Sequence, residues 1–357
     1  MTHVGTGARR VWILALAMAL VVGVIALLPT TQANAAFPGA NGWLIFENGS
    51  DIYAMPANGS AAPQLAEAEA SAFKDPVFSP DGTQVAVSRD MSGNANVWVA
   101  DFNVSGGVPS LSGWTQVSTG NSDGEPAWSP DGTEIAFVRR IAFTLDETDF
   151  GVAVTTGDPA GVTLTANGAG FAAAGVDFGD AVRNTTDNSS GVVLSAGVNS
   201  ITLQAQLSGG TLNTWVIDDT YEVDIAHRQL VKVTVPGGVE TLLSESGATP
   251  SYDDNYPSWS PDGTLIAFAT TQHGNSEIYV TDTSGAAHTR VTIFGNLATR
   301  PNWSPDGTKL IFNSPEGTGG GASNLWTVSD PAGGPYVSGD PETTQLTSGN
   351  NDDHAVW

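Results

Sequence analysis

Four sets of residues are of types that could carry chemistry. Gly120-Asn121-Ser122-Asp123-Gly124 has the G-x-S-x-G spacing of a serine nucleophile. That chemistry needs the serine on a sharp strand-to-helix turn, with a histidine and an acid within reach. Here the stretch falls between two predicted strands with no helix after it, so it reads as a loop. Gly317-Thr318-Gly319-Gly320-Gly321 lacks the Lys-Ser/Thr and the helix of a phosphate cradle, and also reads as a loop. His227, His273, His288 and His354 are scattered without metal-ligand spacing, which favours exposed loop histidines.

The fourth set is acidic. Asp75, Asp123, Glu125, Asp254 and Asp353 all stand shortly before a recurring aromatic strand, in polar segments such as Asn121-Ser122-Asp123-Gly124-Glu125 and Asp253-Asp254-Asn255. Arg300 interrupts the series. Carboxylate and amide oxygens gathered at one channel mouth could hold Ca²⁺ or attract a basic segment of a partner. The plainer reading is that Asp and Asn serve loop geometry there. No other cofactor is expected.

The elements that must position these residues come from a repeat. Trp303-Ser304-Pro305-Asp306-Gly307-Thr308 recurs at Trp128–Thr133 and Trp259–Thr264, and with Phe for Trp at Phe78–Thr83. Pro76, Pro126, Pro257 and Pro301 each lie two residues before the aromatic. Ser-Pro-Asp-Gly is a turn: Pro presets φ, Asp bonds locally, and Gly takes the conformation others avoid. An extended piece precedes it, and an apolar strand such as Ile135-Ala136-Phe137 or Leu310-Ile311-Phe312 follows. The motif is therefore a hairpin joining strands a and b of a small antiparallel sheet. Strand c follows as Asn96–Asp101, Glu277–Asp282 and Asn324–Val328, and strand d as Thr115–Ser118, Thr289–Thr292 and Thr344–Thr347. Four antiparallel strands in about 45 residues make a propeller blade.

Residues 37–75 hold a first blade without its strand a. Trp357 falls where a strand a aromatic belongs, so the C-terminal strand is expected to close the ring. Five blades are countable. The repeat prolines lie 50, 131 and 44 residues apart, and the long interval implies an inserted β-rich module over 141–228. Blades then occupy 36–140 and 229–357. The insertion is expected either to carry binding or to be a neutral passenger at a loop tip.

The 357 residues include 12 basic and 37 acidic side chains, a net charge of −25. Such a balance argues against nucleic-acid backbones, which need a basic surface. With no cysteine, disulfides and thiolate metal sites are excluded. Residues 1–35 read as a signal peptide: Arg9-Arg10, an apolar Val11–Leu28, and Ala33-Asn34-Ala35 before Ala36. Its removal takes both arginines and leaves −27. An uncleaved membrane anchor is the alternative. No helical period follows, so the fold class is all-β.

These repeats resemble the WD40-like β-propeller repeat of the TolB family, also called PD40. The shared pattern is Pro-x-Trp-Ser-Pro-Asp-Gly, an Ile-Ala-Phe-like strand, then Ile-Tyr-Val-x-Asp, over most of 37–140 and 229–357. The resemblance implies a propeller, six-bladed in many members, and a periplasmic or secreted location. It also implies a non-catalytic role, since TolB joins the Tol–Pal envelope system through its propeller. The expected partner is a protein, peptide or glycan in the envelope or outside the cell, bound by a monomer without a membrane span after cleavage. The alternative is an envelope hydrolase or lyase at the channel mouth or in the insertion.

Overall fold

The structure is a computed structural model. It describes residues 42–68, 72–91, 94–120, 122–146, 163–166, 171, 176, 180–197, 200–214, 219–244, 252–316, 323–348 and 352. The signal peptide, Asp353, His354 and Trp357 lie outside these residues.

Among the described residues the regular structure is all strand, apart from one 3-10 turn at Pro331–Gly333. The first sheet holds β1 (Trp43–Asn48), β2 (Asp51–Pro56) and β3 (Gln64–Glu67), in that order. The second holds β4 (Phe73–Phe78), β5 (Gln84–Asp90), β6 (Ala95–Ser105) and β7 (Val108–Gln116). The third blade opens with β8 (Asp123–Trp128) and β9 (Glu134–Asp146). After β9 come β10 (Thr163–Thr165), β11 (Ala181–Asn184), β12 (Ser189–Ala196) and β13 (Ser200–Leu203). Then β14 (Tyr221–Thr234) and β15 (Glu240–Leu242) complete the blade order β8-β9-β14-β15. Two further four-stranded sheets follow: β16 (Asp254–Trp259), β17 (Leu265–His273), β18 (Asn275–Asp282) and β19 (His288–Arg290), then β20 (Thr299–Trp303), β21 (Lys309–Ser314), β22 (Asn324–Ser329) and β23 (Thr343–Gln345). This is the strand order of successive propeller blades, and all neighbouring strands named are antiparallel.

The Ser-Pro-Asp-Gly turn is built alike four times. In the third blade Asp131 Oδ1 accepts from Ser129 Oγ at 2.7 Å, from Thr133 N at 3.0 Å and from Thr133 Oγ1 at 2.8 Å. Asp81, Asp262 and Asp306 do the same in their blades. The turn glycines have φ between +68° and +72°, which a side chain would strain. Pro80, Pro130 and Pro261 each pack against the glycine of the next blade's turn, so the turns touch around one rim.

The repeat aromatic fills the seam between blades. Trp128 sits among Ala86, Val97 and Val99 of the second blade and Ile135 and Phe137 of its own. Its indole donates to Val77 O at 3.3 Å, one blade back. Trp259 and Trp303 repeat this to Ala127 O and Ser258 O, both at 3.1 Å. Burying such a side chain contributes about 2–3 kcal/mol, so these seams hold the blades together.

Two strands run further than the sequence suggests. Strand d of the second blade is Val108–Gln116 rather than 115–118, because Gly106 and Gly107, at φ 61° and 85°, form a tight two-residue hairpin turn. That extension carries Phe102 into edge contact with Trp43 and Phe78, 5.9 and 4.9 Å between centroids. In the third blade β9 and β14 pair continuously from Glu134↔Thr234 to Asp146↔Glu222, well past Arg139–Arg140. This ribbon carries β10–β13, with β11 paired to β14 at Ala181↔Asp224. Leu164, Phe171, Val193 and Tyr221 form a separate core there.

Candidate functional site

Strand a of every complete blade has the same defect, and it positions the candidate site. The a–b register shifts between Lys74 and Val77, Gly124 and Ala127, Asn255 and Ser258, and Thr299 and Asn302. At each bulge the residue before the proline is left-handed: Asp75 φ 52°, Glu125 φ 54°, Tyr256 φ 56°, Arg300 φ 55°. A non-glycine residue there is uncommon, and costs on the order of 1–3 kcal/mol unless its surroundings hold it. A bulge re-aims a side chain, and all four of these lie on the innermost strands.

The four residues are linked from blade to blade. Asp75 N donates to Glu47 Oε2 at 3.1 Å. Glu125 N donates to Asp75 Oδ2 at 3.3 Å, and Tyr256 N donates to Glu125 Oε2 at 2.7 Å. The guanidinium of Arg300 then lies over the Tyr256 ring, 5.0 Å from its centroid. The N–H groups of Asp75, Glu125 and Tyr256 are thus each met by a carboxylate of the previous blade. Arg228 joins from β14, 3.6 Å from Glu125 Oε1 and donating to Asn255 Oδ1 at 2.6 Å. Burial pushes the Glu125 carboxyl up, against the opposing hydrogen bond from Tyr256 and the charge of Arg228. The row therefore presents acid, acid, phenol and guanidinium side by side, a surface suited to a polar chain carrying both charges.

The sequence candidates divide. Asp75 and Glu125 belong to this row. Asp123 and Asp254, two residues further back, are 1% and 0% exposed and face the sheet interior. Asp123 takes both Nε and Nη2 of Arg139 at 2.9 Å, and Arg139 reaches on to Glu240 at 2.7 Å. Glu240 also accepts from Thr119 N at 2.8 Å, tying the second blade to the third. Asp254 accepts from Ser244 Oγ. These two aspartates are anchors at the strand start, because that position points into the sheet and not the channel. Tyr256 and Arg300 were missed as members of the row. The signal was present: each immediately precedes a repeat proline.

The other candidates stay apart. Ser122 lies in a bend and β8 begins at Asp123, so the serine leads into a strand and not a helix. His273 Nδ1 bonds Tyr279 Oη at 2.7 Å, whereas His288 Nε2 bonds Leu243 O at 2.8 Å in another seam. His227 is buried, not exposed, near Asp253. Among the described residues, no three His, Asp or Glu side chains group as a metal site, and no helix is long and apolar enough to cross a membrane.

Comparison with known proteins fits this geometry. Residues 233–335 match the model of the TolB beta propeller domain, PD40. A protein assigned as TolB from Agrobacterium tumefaciens superposes with TM-score 0.50 at 14% identity, covering 87% of each chain. TolB from Acinetobacter baumannii gives 0.43 at 12%, over 82% of this chain and 52% of that one. A puromycin-hydrolyzing peptidase from Mycobacterium tuberculosis gives 0.35 at 12%, over 87% and 44%. No curated protein matches the chain by sequence. With its four-stranded sheets, its repeated turn and its stacked tryptophans, the chain has a β-propeller fold like that of TolB, and residues 233–335 match the PD40 repeat model.

Proposed function

We propose that the chain is an exported, non-catalytic propeller scaffold whose inner row binds a protein or peptide partner in the envelope or outside the cell. The observation that carries this reading is the strained pre-proline residue in all four complete blades. Four non-glycine residues kept left-handed at one repeat position are costly to the fold, and such strain gathers at ligand-binding positions. Their chemistry varies from blade to blade while the backbone does not, as expected where the fold holds side chains for recognition. Asp75 and Glu125 would take cationic groups of the partner, and Arg300 and Arg228 anionic ones. The apolar N-terminal run with its Ala-x-Ala site supports export.

A pull-down from envelope extract tests the reading. A variant carrying Glu125→Lys and Arg300→Glu should lose the partner that the unaltered chain captures, while keeping its circular dichroism. An identical captured set would overturn it.

A further inference from the structure

Two arginines stand directly opposite each other where the inserted ribbon leaves the third blade. In the β9–β14 ladder Arg140 is the partner of Arg228. Their backbone N–H groups point away from one another, Arg140 N to Ser122 O at 3.0 Å and Arg228 N to Asp253 Oδ1 at 2.8 Å. They are thus a non-hydrogen-bonded pair, the closer of the two spacings in an antiparallel ladder, about 4.5 Å between Cα atoms. Residues directly opposite share a face of the sheet, so both guanidinium groups rise from the same side. Both side chains are exposed. Two residues back along each strand, Val138↔Leu230 is buried, with Leu230 beside Trp259 of the fourth blade. The arginines therefore stand just above that seam. Like charges so placed repel and weaken the ladder.

The pair is peculiar to this blade. Asp90 N donates to Ala72 O and Thr271 N to Asp253 O, both at 3.0 Å, on the same rung as Arg140 N to Ser122 O. The second blade has Asp90 opposite Ala95 there. The fourth has Thr271, whose hydroxyl accepts from Asp253 N at 2.8 Å. A chain with 12 basic residues against 37 acidic ones thus sets two of the few face to face.

The surroundings define what the pair can hold. Arg228 Nη1 donates to Asn255 Oδ1 at 2.6 Å and lies 3.6 Å from Glu125 Oε1, which sets it beside the inner row. Arg140 pairs with no acid among the described residues. Each guanidinium carries five N–H donors and no acceptor, so most of the pair's donors are left to a ligand. A carboxylate fits, because its two oxygens can accept from both groups at once. A dianionic phosphate would meet more repulsion from Glu125 and Asp253.

We propose that Arg140 and Arg228 form a fork that binds a carboxylate of the peptide partner, either an acidic side chain or the C-terminus. The assignment rests on the inner row being a peptide site, and it makes the root of the inserted ribbon part of that site. A carboxylate seated between the two cations offsets their mutual repulsion.

Nuclear magnetic resonance of the full chain with isotope-labelled arginine tests the fork, the side-chain signals being assigned through Arg140→Lys and Arg228→Lys. The probes, at constant ionic strength, are acetyl-Gly-Glu-Gly-amide, acetyl-Gly-Gly-Gly with a free C-terminus, the neutral acetyl-Gly-Gln-Gly-amide, and inorganic phosphate. At least one carboxylate peptide should move the Nε–H signals of Arg140 and Arg228 together and to saturation. Which of the two does so tells a side chain from a terminus. The glutamine peptide should leave both signals in place. Arg140→Gln should weaken the binding read at Arg228 by about tenfold. The proposal is overturned if neither carboxylate peptide moves the two signals, if phosphate alone does, or if the glutamine peptide does so equally. Unchanged binding at Arg228 in Arg140→Gln overturns it too. The row itself is judged by what the variant with Glu125→Lys and Arg300→Glu captures, so the two failures are told apart.

Discussion

At the scale of single residues, most of the conspicuous acids are structural. The four turn aspartates hold their carboxyls below the usual range through hydrogen bonds from the Ser and Thr of each turn. For Asp131 and Asp262 those bonds outweigh an opposing burial effect; Asp306 reaches about 2, chiefly through Ser304. Glu240 is also held at about 2, mainly by the Arg139 hydrogen bond, with Thr119 adding and burial opposing. A carboxyl depressed in the folded state stabilises above its unfolded pKa, and that stability is lost as pH falls through the folded value. Stability should therefore decline between about pH 4.5 and pH 2. Glu240→Gln should flatten part of that decline, measured as urea midpoints across a pH series. An unchanged pH profile would mean that the Arg139 bridge has no energetic weight. None of this pairing was legible in the sequence, because Glu240 lies 101 residues from Arg139 and 121 from Thr119.

At the scale of elements, local chemistry was easy to read and strand length was not. The Ser-Pro-Asp-Gly hairpins were legible because every bond in them lies within a few residues. The long β6–β7 hairpin was overlooked because its signal is only Gly106-Gly107, and its support, Phe102 against Trp43 and Phe78, comes from two blades. The bulge in strand a was invisible in composition, since proline alone suggests extended backbone before it. It changes which acids matter: Asp123 and Glu125, two residues apart, would share a face of a regular strand, and the bulge turns Glu125 away from the buried side that Asp123 keeps. The left-handed conformation there can be probed directly. A β-branched residue tolerates it least, so Arg300→Val should cost about 2 kcal/mol. Arg300→Asn should cost distinctly less, both read by chemical unfolding. Equal losses would argue that the stacking on Tyr256, not the backbone, sets the cost.

At the scale of the whole molecule, the fold was legible from four turns and their spacing, because a repeat multiplies one local signal. The role of the insertion was not, since β10–β13 carry no repeat and hold their own core. On the proposed function, the chain's charge of −25 would draw in a cationic partner and the inner row would supply the particular contacts. Whether recognition lies on that row or on the inserted strands is the point on which the account turns. A photoreactive residue placed at Tyr256, and separately at Leu212, which is 65% exposed on the insertion, decides it in envelope extract. The account predicts a partner adduct from position 256 and none from position 212. An adduct from 212 with none from 256 would contradict it.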